Sequence, residues 1–551
     1  MIYPKIPLAQ SIIEIFANRG IHQIVISPGS RNAPLTIGFA SNPTFECLSI
    51  ADERSAAFFA LGIAQQTQKP VVVLCTSGSA LLNYYPAFAE AFYSQIPLIV
   101  VSADRPHDKI DIGDGQTIRQ ENVFVNHSLF NANLNENVSV ENDQLINEAI
   151  SKAILQKGPV HINVPFEEPL YETTDVLEVK SLVIPEVQPN FPIEDISAFA
   201  KKWNASTKKM ILVGVNTPNS ISQEILEWMA NDASVIVLTE STSNLHHQKF
   251  ISNIDTIITP FSAEDFEHFQ PEVLLTFGGM VVSKRIRAFL RKYKPAEHWH
   301  IDTLRAYDTF GALSHHFKAI PQQFLEAFLP LTQNGNGTYQ SEWNHIKALR
   351  KEKQEVYLSQ IPFSDLKAFE IILPYLPQNS MLQVSNSSPI RYIQLLEIHP
   401  SISVFCNRGT SGIDGSTSTA VGAAFASQIP TVFITGDISF LYDSNGLWNE
   451  YIPKNFKIIL LNNGGGGIFR ILPGHQETPV FNRYFETSHC LTAEHLAKMY
   501  QLDYFTASDE ISLKQSLVEL FAKNEQPAIL EIFTPTLLNN SVLQQFFKEL
   551  T

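Results

Sequence analysis

Thr431-Val-Phe-Ile-Thr-Gly-Asp-Ile-Ser439 and Lys457-Ile-Ile-Leu-Leu-Asn-Asn-Gly-Gly-Gly-Gly467 have the same form: a short run rich in apolar and β-branched residues that stops at a polar, glycine-containing turn. Runs that are apolar at successive positions, rather than at alternate ones, suit strands covered on both faces, and such strands belong to parallel sheets. The same unit recurs outward along the chain. Leu8, Ile12, Ile15 and Phe16 fall at helical spacing within 8–19 and stop before Gly20; Ile21–Ile26 then reads as a strand, followed by the turn Ser27-Pro-Gly-Ser30. Beyond it the spacing predicts strand Cys47–Ala51, helix Arg54–Gln66, strand Val71–Cys75, helix Ser79–Ser94 and strand Pro97–Ala103. Strands are also predicted at Met210–Val215, Ser234–Leu238, Val273–Phe277 and Trp299–Ile301, and then at Met381–Val384, Ile402–Cys406, Thr431–Thr435, Lys457–Leu461 and Ala528–Phe533. Strands alternating with helices predict an α/β fold of mostly parallel sheets flanked by helices.

A chain of 551 residues predicts three or four domains at about 150 residues each. The Pro-containing stretch 172–195 and the loop Gln333-Asn-Gly-Asn-Gly337 divide it into three, at 1–180, 190–340 and 350–551. With 39 Lys and Arg against 55 Asp and Glu, the net charge of −16 argues against nucleic acid or an anionic membrane as partner. An anionic ligand must then be held by local clusters of cations. Four cysteines without a Cys-x-x-Cys pair favour buried thiols in a reducing compartment, and the expected location is cytoplasmic. Gln10 and Glu14 interrupt the first apolar segment, unlike the core of a signal peptide, and no run approaches the ~18 apolar residues of a membrane span. The 16 histidines show no zinc spacing, and there is no phosphate loop of the nucleotide-hydrolase type.

Asp437 and Asn463, separated by 25 residues, each stand at the carboxyl end of a predicted strand. There they offer two hard oxygens on the edge where open α/β sheets bind ligands. Mg²⁺ suits such a pair, because it takes a few protein oxygens together with phosphate oxygens. The glycines after Asn463 would let backbone approach a diphosphate closely. Taken singly, Gly-Asp and Asn-Asn-Gly are ordinary turns; together at this spacing they resemble the signature of the thiamine-diphosphate enzymes, with Ile438 replacing its second glycine. Those enzymes also need a carboxylic acid beside the cofactor's aminopyrimidine. Glu53, where a strand passes into a helix of the first domain, matches that position, although an acid there also suits a helix N-terminus.

The resemblance narrows through Ile26-Ser-Pro-Gly-Ser-Arg-Asn-Ala-Pro-Leu-Thr36, Asp52-Glu-Arg54, Thr76-Ser-Gly-Ser79 with Asn83, Ala103-Asp-Arg-Pro106, Ser283-Lys-Arg285, Asn407-Arg-Gly-Thr-Ser-Gly-Ile-Asp-Gly415 and Gly466-Gly-Ile-Phe-Arg-Ile-Leu-Pro473. From about residue 6 to 535 the chain resembles the 2-succinyl-5-enolpyruvyl-6-hydroxy-3-cyclohexene-1-carboxylate synthase family of menaquinone biosynthesis. The resemblance implies a pyrimidine-binding domain, a middle domain and a diphosphate-binding domain. It implies thiamine diphosphate with Mg²⁺ (or Mn²⁺) as cofactors, 2-oxoglutarate and isochorismate as substrates, and a homodimer or homotetramer with each cofactor between two subunits. The reaction implied is decarboxylation of 2-oxoglutarate and 1,4-addition of the succinyl unit to isochorismate.

Both substrates are dianions, and Arg31, Arg105, Lys284, Arg285, Arg391 and Arg408 lie near predicted strand ends or the turns after them. Carried over by resemblance, Ser30, Arg31, Arg105, Gln116, Lys284, Arg285, Ser387, Arg391 and Arg408 match substrate-contacting positions. Glu53, Arg31, Gln116, Arg391 and Arg408 are the expected catalytic set. Asp437, Asn463 and the Gly465 carbonyl match the metal site. Ser387, Ile438, Ser439 and Gly466 match cofactor contacts, and Ile413 the aliphatic prop beneath the bent cofactor. Ile468, Phe469 and Leu472 match the apolar wall, with Phe469 and Leu472 also facing substrate. Gly115 stands where Asn is expected, and Gly464 where a polar residue is common. Two rival readings are another thiamine-diphosphate carboligase or 2-oxoacid decarboxylase, which would have less use for so many cations, and a non-catalytic binding protein on the same fold, which could discard Glu53.

Overall fold

A computed structural model describes residues 1–186, 191–471, 476–522 and 525–551. Among the described residues three sheets of five or six strands carry the fold, beside a two-stranded antiparallel pair, Tyr3–Pro4 with Thr173–Thr174. The first runs Glu46–Ser49, Gln23–Ile26, Val71–Cys75, Leu98–Asp104, Val160–Pro165, Asn131–Asn133, with every neighbouring pair parallel. The middle sheet runs Val235–Leu238, Lys209–Val213, Val273–Phe277, Glu297–Ile301, Leu313–Phe317, again parallel. The third runs Ser403–Phe405, Met381–Val384, Thr431–Gly436, Phe456–Asn462, Ala528–Phe533, Asp503–Ala507. The first and third sheets therefore share one strand order. In both, the order of connection reverses between the second and third strands of the sheet while those strands stay parallel, and that switch opens a crevice at the carboxyl edge. In the first sheet the crevice lies after Ile26 and Cys75; in the third it lies after Val384 and Gly436.

The apolar runs are buried as their composition requires. In the middle sheet Ile211, Val213 and Leu275 pack into one core, while Met210, Leu212 and Leu274 pack into another, as expected for strands covered on both faces. The first and third sheets build their cores on residues such as Ile24, Val72 and Ile99, and Leu382, Val432 and Ile459.

The helix expected over 79–94 is two helices, Ser79–Asn83 and Tyr85–Ser94. Pro86 lacks an N–H and its ring crowds the preceding turn, so it can open a helix but cannot sit inside one. Strands Asn131–Asn133, Val160–Pro165, Leu313–Phe317 and Asp503–Ala507 add to those the spacing predicts. Val160–Pro165 is disguised by His161 and Asn163, both buried because Ser102 satisfies them: its hydroxyl lies 2.8 Å from His161 Nε2 and donates to Asn163 Oδ1 over 2.8 Å.

The chain forms two compact units. One comprises Met1–Pro189, Gly409–Ile429 and Ser439–Phe456; the other comprises Asn190–Arg408, Pro430–Ile438 and Lys457–Thr551. The first unit joins its sheet domain to helix Ser416–Ser427, which packs on Glu53–Thr67. A Cβ on Gly62 would fall 2.2 Å from the Thr419 carbonyl oxygen, and one on Gly422 2.0 Å from that of Phe59, so only glycine lets these helices approach so closely. No helix among the described residues is long and apolar enough to cross a membrane.

Candidate active site

In the first unit the predicted residues gather around the end of strand Val71–Cys75. Arg31 is buried; its backbone N–H donates to Thr76 Oγ1 (3.3 Å), and its guanidinium donates to the Phe166 carbonyl (3.0 Å) and to Glu168 Oε1 (3.1 Å). Its Nε is buried with no partner among the described residues. Ser30, next to it, is exposed. Gln116 takes a left-handed backbone (φ 57°); its amide donates to the Ser77 carbonyl (3.2 Å), and its own carbonyl accepts from Ser77 Oγ (3.0 Å). Arg105 donates to the Gly115 carbonyl (2.9 Å) and lies 3.4 Å from Asp114, which ties it to the same loop. Thr76 and Ser77 thus bring Arg31 and Gln116 to one strand end.

Glu53 opens helix Glu53–Thr67, half-buried, and Asp52 caps that helix by accepting from the Ser55 N–H (3.0 Å). Burial first, and the Glu53 charge second, push the Cys75 thiol well above its ordinary value. Glu53 therefore lies within electrostatic reach of the same strand end. Ile413 and Ser439 are joined directly, the Ser439 hydroxyl donating to the Ile413 carbonyl over 2.8 Å.

The second unit holds the expected metal residues. Asp437 Oδ1 accepts from the Ile438 N–H (2.7 Å), and Oδ2 accepts from the N–H groups of Gly464 (2.9 Å) and Gly465 (3.0 Å). Burial raises its carboxyl to about 6 against the pull of those donors and of nearby His489, whose Nε2 is 3.4 Å away. Asn463 donates through Nδ2 to Asp365 Oδ2 (2.9 Å), while its Oδ1 is buried with no partner among the described residues. A buried carbonyl oxygen left unpaired is costly, and one on the residue next to Gly464, whose N–H holds the buried Asp437 carboxylate, fits a hard cation. The residues present therefore fit Mg²⁺.

Gly465, at φ 153°, has a backbone that a side chain would strain, and a Cβ there would meet the Glu486 carbonyl oxygen at 2.8 Å. That carbonyl also accepts from the Gly466 N–H (2.6 Å), and the Glu486 carboxylate holds Arg470, so Glu486 braces the glycine loop. The Gly465 carbonyl itself accepts from the Gly467 N–H (2.9 Å). Ile468 and Phe469 start a short helix directly after the loop, both half-buried. Leu472 lies outside the described residues.

Ser387 carries a positive φ of 74°, rare for serine, and its carbonyl accepts from the Arg391 guanidinium. Arg391 sits within helix Ser388–Ile393, the first element after strand Met381–Val384. Arg408 donates to Asn386 Oδ1 (2.6 Å), whose amide donates to the Asn407 carbonyl (2.7 Å); the strand ends at Val384 and Phe405 are thereby tied together. Lys284 and Arg285 occupy the first turn of helix Lys284–Lys292 and are exposed, with Arg285 stacked over Phe547 at 4.9 Å. Ser283 caps that helix and also donates to Asp255. Burial raises the Asp255 carboxyl, and the Ser283 hydrogen bond and the charges of Arg285, Arg391 and Arg287 oppose that rise, so two other chain segments, 283–287 and the helix of Arg391, converge on this acid.

Asp255, Arg287, Asp365 and Glu486 are contributors that sequence reasoning missed. Asp365 follows the cap residue Ser364, and acids are common there; nothing local distinguishes it.

Three family models match the chain: "Thiamine pyrophosphate enzyme, N-terminal TPP binding domain" over residues 6–126, "Middle domain of thiamine pyrophosphate" over 194–384, and "Thiamine pyrophosphate enzyme, C-terminal TPP binding domain" over 388–532. A 2-succinyl-5-enolpyruvyl-6-hydroxy-3-cyclohexene-1-carboxylate synthase of Flavobacterium johnsoniae is 68% identical, with 100% of both chains covered. Those of Flavobacterium psychrophilum and Christiangramia forsetii are 66% and 50% identical, covering 100% and 99% of both chains. The chain belongs to this synthase family. As a member of the synthase family it is a thiamine-diphosphate enzyme, and the family's two cofactor-binding models fall on the two sheets that share a strand order.

Proposed function

We propose that the chain decarboxylates 2-oxoglutarate and adds the succinyl unit in 1,4 fashion to isochorismate, giving 2-succinyl-5-enolpyruvyl-6-hydroxy-3-cyclohexene-1-carboxylate and CO₂ for menaquinone biosynthesis. The observation that carries this reading is the pair of oxygens at the carboxyl edge of the third sheet, Asp437 and the unpartnered Oδ1 of Asn463. Bound thiamine diphosphate supplies the nucleophilic carbon and the electron sink. Asp437, Asn463 and the Gly465 carbonyl are the proposed Mg²⁺ ligands (Mn²⁺ can substitute), with Ser387, Ile438, Ser439 and Gly466 as cofactor contacts. Glu53 holds a proton toward the pyrimidine ring nitrogen, which is general acid–base work. Ile413, whose carbonyl Ser439 holds, would pack beneath the bound cofactor.

Two dicarboxylates demand cations, and guanidinium groups match both oxygens of a carboxylate at once. Arg31, Arg105, Lys284, Arg285, Arg391 and Arg408 fill that role, with Ser30 and Gln116 as polar partners. The Nε atoms of Arg31 and Arg105, buried and without a partner among the described residues, favour an incoming acceptor. Ile468 and Phe469 are the proposed apolar wall that would exclude water from the reacting centre, and Leu472 joins them by resemblance alone. The proposed domains are 1–180, 190–340 and 350–551. The proposed assembly is a homodimer or homotetramer in the cytoplasm, with each site drawing Glu53 from one subunit and Asp437 from the other.

Incubation with 2-oxoglutarate, isochorismate, thiamine diphosphate and Mg²⁺, followed by mass identification of the product, tests the activity. The succinylated cyclohexene product is expected. Succinic semialdehyde as the sole product, with isochorismate untouched, would make the enzyme a plain decarboxylase.

A further inference from the structure

Asp365 is fully enclosed in the second unit, at the start of helix Asp365–Ile372, and every hydrogen bond its carboxylate makes there has a defined sense. Thr534 Oγ1 donates to Oδ1 (2.5 Å), and Asn463 Nδ2 donates to Oδ2 (2.9 Å). Asn539 holds the Asp365 backbone N–H through its Oδ1 (2.8 Å), and Thr536 Oγ1 holds the Asn463 carbonyl (2.5 Å). An asparagine amide has a donor end and an acceptor end of nearly equal size, so packing alone does not choose between them. Here the acceptor Asp365 claims the donor end. The acceptor end is left buried and unpartnered among the described residues, in the residue whose neighbour Gly464 donates to Asp437.

We propose that Asp365 is a positioning residue which fixes the Asn463 amide so that its oxygen, and not its nitrogen, faces the cation. This rests on the metal reading of Asp437 and Asn463. Asp365 need not touch the cation; it acts by being a pure acceptor.

The swap follows from the same logic. In Asp365→Asn, Thr534 Oγ1 already accepts from Asn539 Nδ2 (3.5 Å), so its hydroxyl keeps donating to the oxygen of residue 365 and the new NH₂ meets the NH₂ of Asn463. Asn463 must then rotate and present N–H groups to the cation. Adding Asn463→Asp removes the conflict, because a carboxylate has an acceptor at both ends: one accepts from Asn at 365 and the other faces the metal.

Mg²⁺ is titrated calorimetrically into metal-free protein saturated with thiamine diphosphate, and unfolding midpoints are recorded without metal. Asp365→Asn is expected to weaken Mg²⁺ binding about 10–100-fold, the usual effect of losing the partner of a metal ligand. The double variant Asp365→Asn/Asn463→Asp is expected to recover most of that loss, whereas a merely structural defect would persist. Wild-type affinity in the single variant, or a double variant as weak as the single one, overturns the proposal. Should Asp365→Asn not fold, Asp365→Ala removes the acceptor for Asn463 Nδ2 without adding a donor. A several-fold weaker Mg²⁺ affinity supports the proposal, and an unchanged one overturns it. Asp437→Ala separates the two levels: if it binds Mg²⁺ like wild type, the metal reading itself fails; if it loses Mg²⁺ while Asp365→Asn does not, only the role of Asp365 fails.

Discussion

Replacing Glu53 by glutamine changes one oxygen at the first position of helix Glu53–Thr67 and leaves the Asp52 cap intact, so the fold has no reason to respond. Turnover is expected to fall about 10²–10⁴-fold, the range for loss of a positioned acid–base group. Steady-state kinetics beside calorimetric cofactor binding would show it, and an active variant would remove Glu53 from the chemistry. Arg391→Ala removes a charged donor and frees the Ser387 carbonyl it satisfies. Losing a hydrogen bond to a charged group costs about 1.5–3 kcal/mol, so kcat/KM for one dicarboxylate should drop by roughly 10–150-fold. Unchanged kinetics with both substrates would place it outside the site. That Glu53, Asp437 and Asn463 stand beside strand ends was legible in the sequence, because a local pattern announces each end. Asp365 was not, since its partner Asn463 is 98 residues away and its meaning depends on which end of an amide it meets. Asp255 was hidden in the same way, its significance coming from arginines on other segments.

At the level of elements, strands read best and breaks read worst. Val71–Cys75, Val273–Phe277, Met381–Val384 and Ala528–Phe533 fall where their apolar runs predict. Val160–Pro165 escaped notice because buried His161 and Asn163 mimic an exposed face, and only the neighbouring strand supplies the Ser102 hydroxyl that makes them tolerable. The glycine loop 464–467 combines both lessons: its composition predicted close backbone approach, while its brace, Glu486, is tertiary. Gly465→Ala tests the loop as an element. The added Cβ strains a φ of 153° and meets the Glu486 carbonyl oxygen at 2.8 Å, at a cost on the order of 1–3 kcal/mol. Cofactor retention on gel filtration in limiting Mg²⁺ should fall, with the far-ultraviolet spectrum unchanged; full retention would show that the loop yields without consequence.

Over the whole molecule, repetition of one strand order in the first and third sheets gives two crevices, one at the carboxyl edge of each sheet, with Arg31 after Ile26 in the first and Asp437 after Gly436 in the third. The same burial that builds these sheets leaves a pH signature. Burial lowers His161 from its ordinary 6.5 to about 3, so the folded chain keeps it neutral while the unfolded chain takes a proton below pH 6.5. Its contribution is therefore complete above pH 6.5 and is lost as pH falls toward 3. His161→Phe should be less stable than wild type at pH 7, having lost the Ser102 contact, but the gap should narrow by about 2 kcal/mol between pH 6.5 and 5. Urea midpoints at the two pH values measure it, and a constant gap would mean that the imidazole is not held neutral. The claim with the widest reach is that each site is completed by two subunits. Glu53→Gln and Asp437→Ala, each inactive alone, are co-expressed under separate tags and the doubly tagged dimers are isolated. Because one of the two sites in such a dimer then has both groups intact, about half of wild-type activity is predicted; doubly tagged dimers as inactive as either parent would contradict the account.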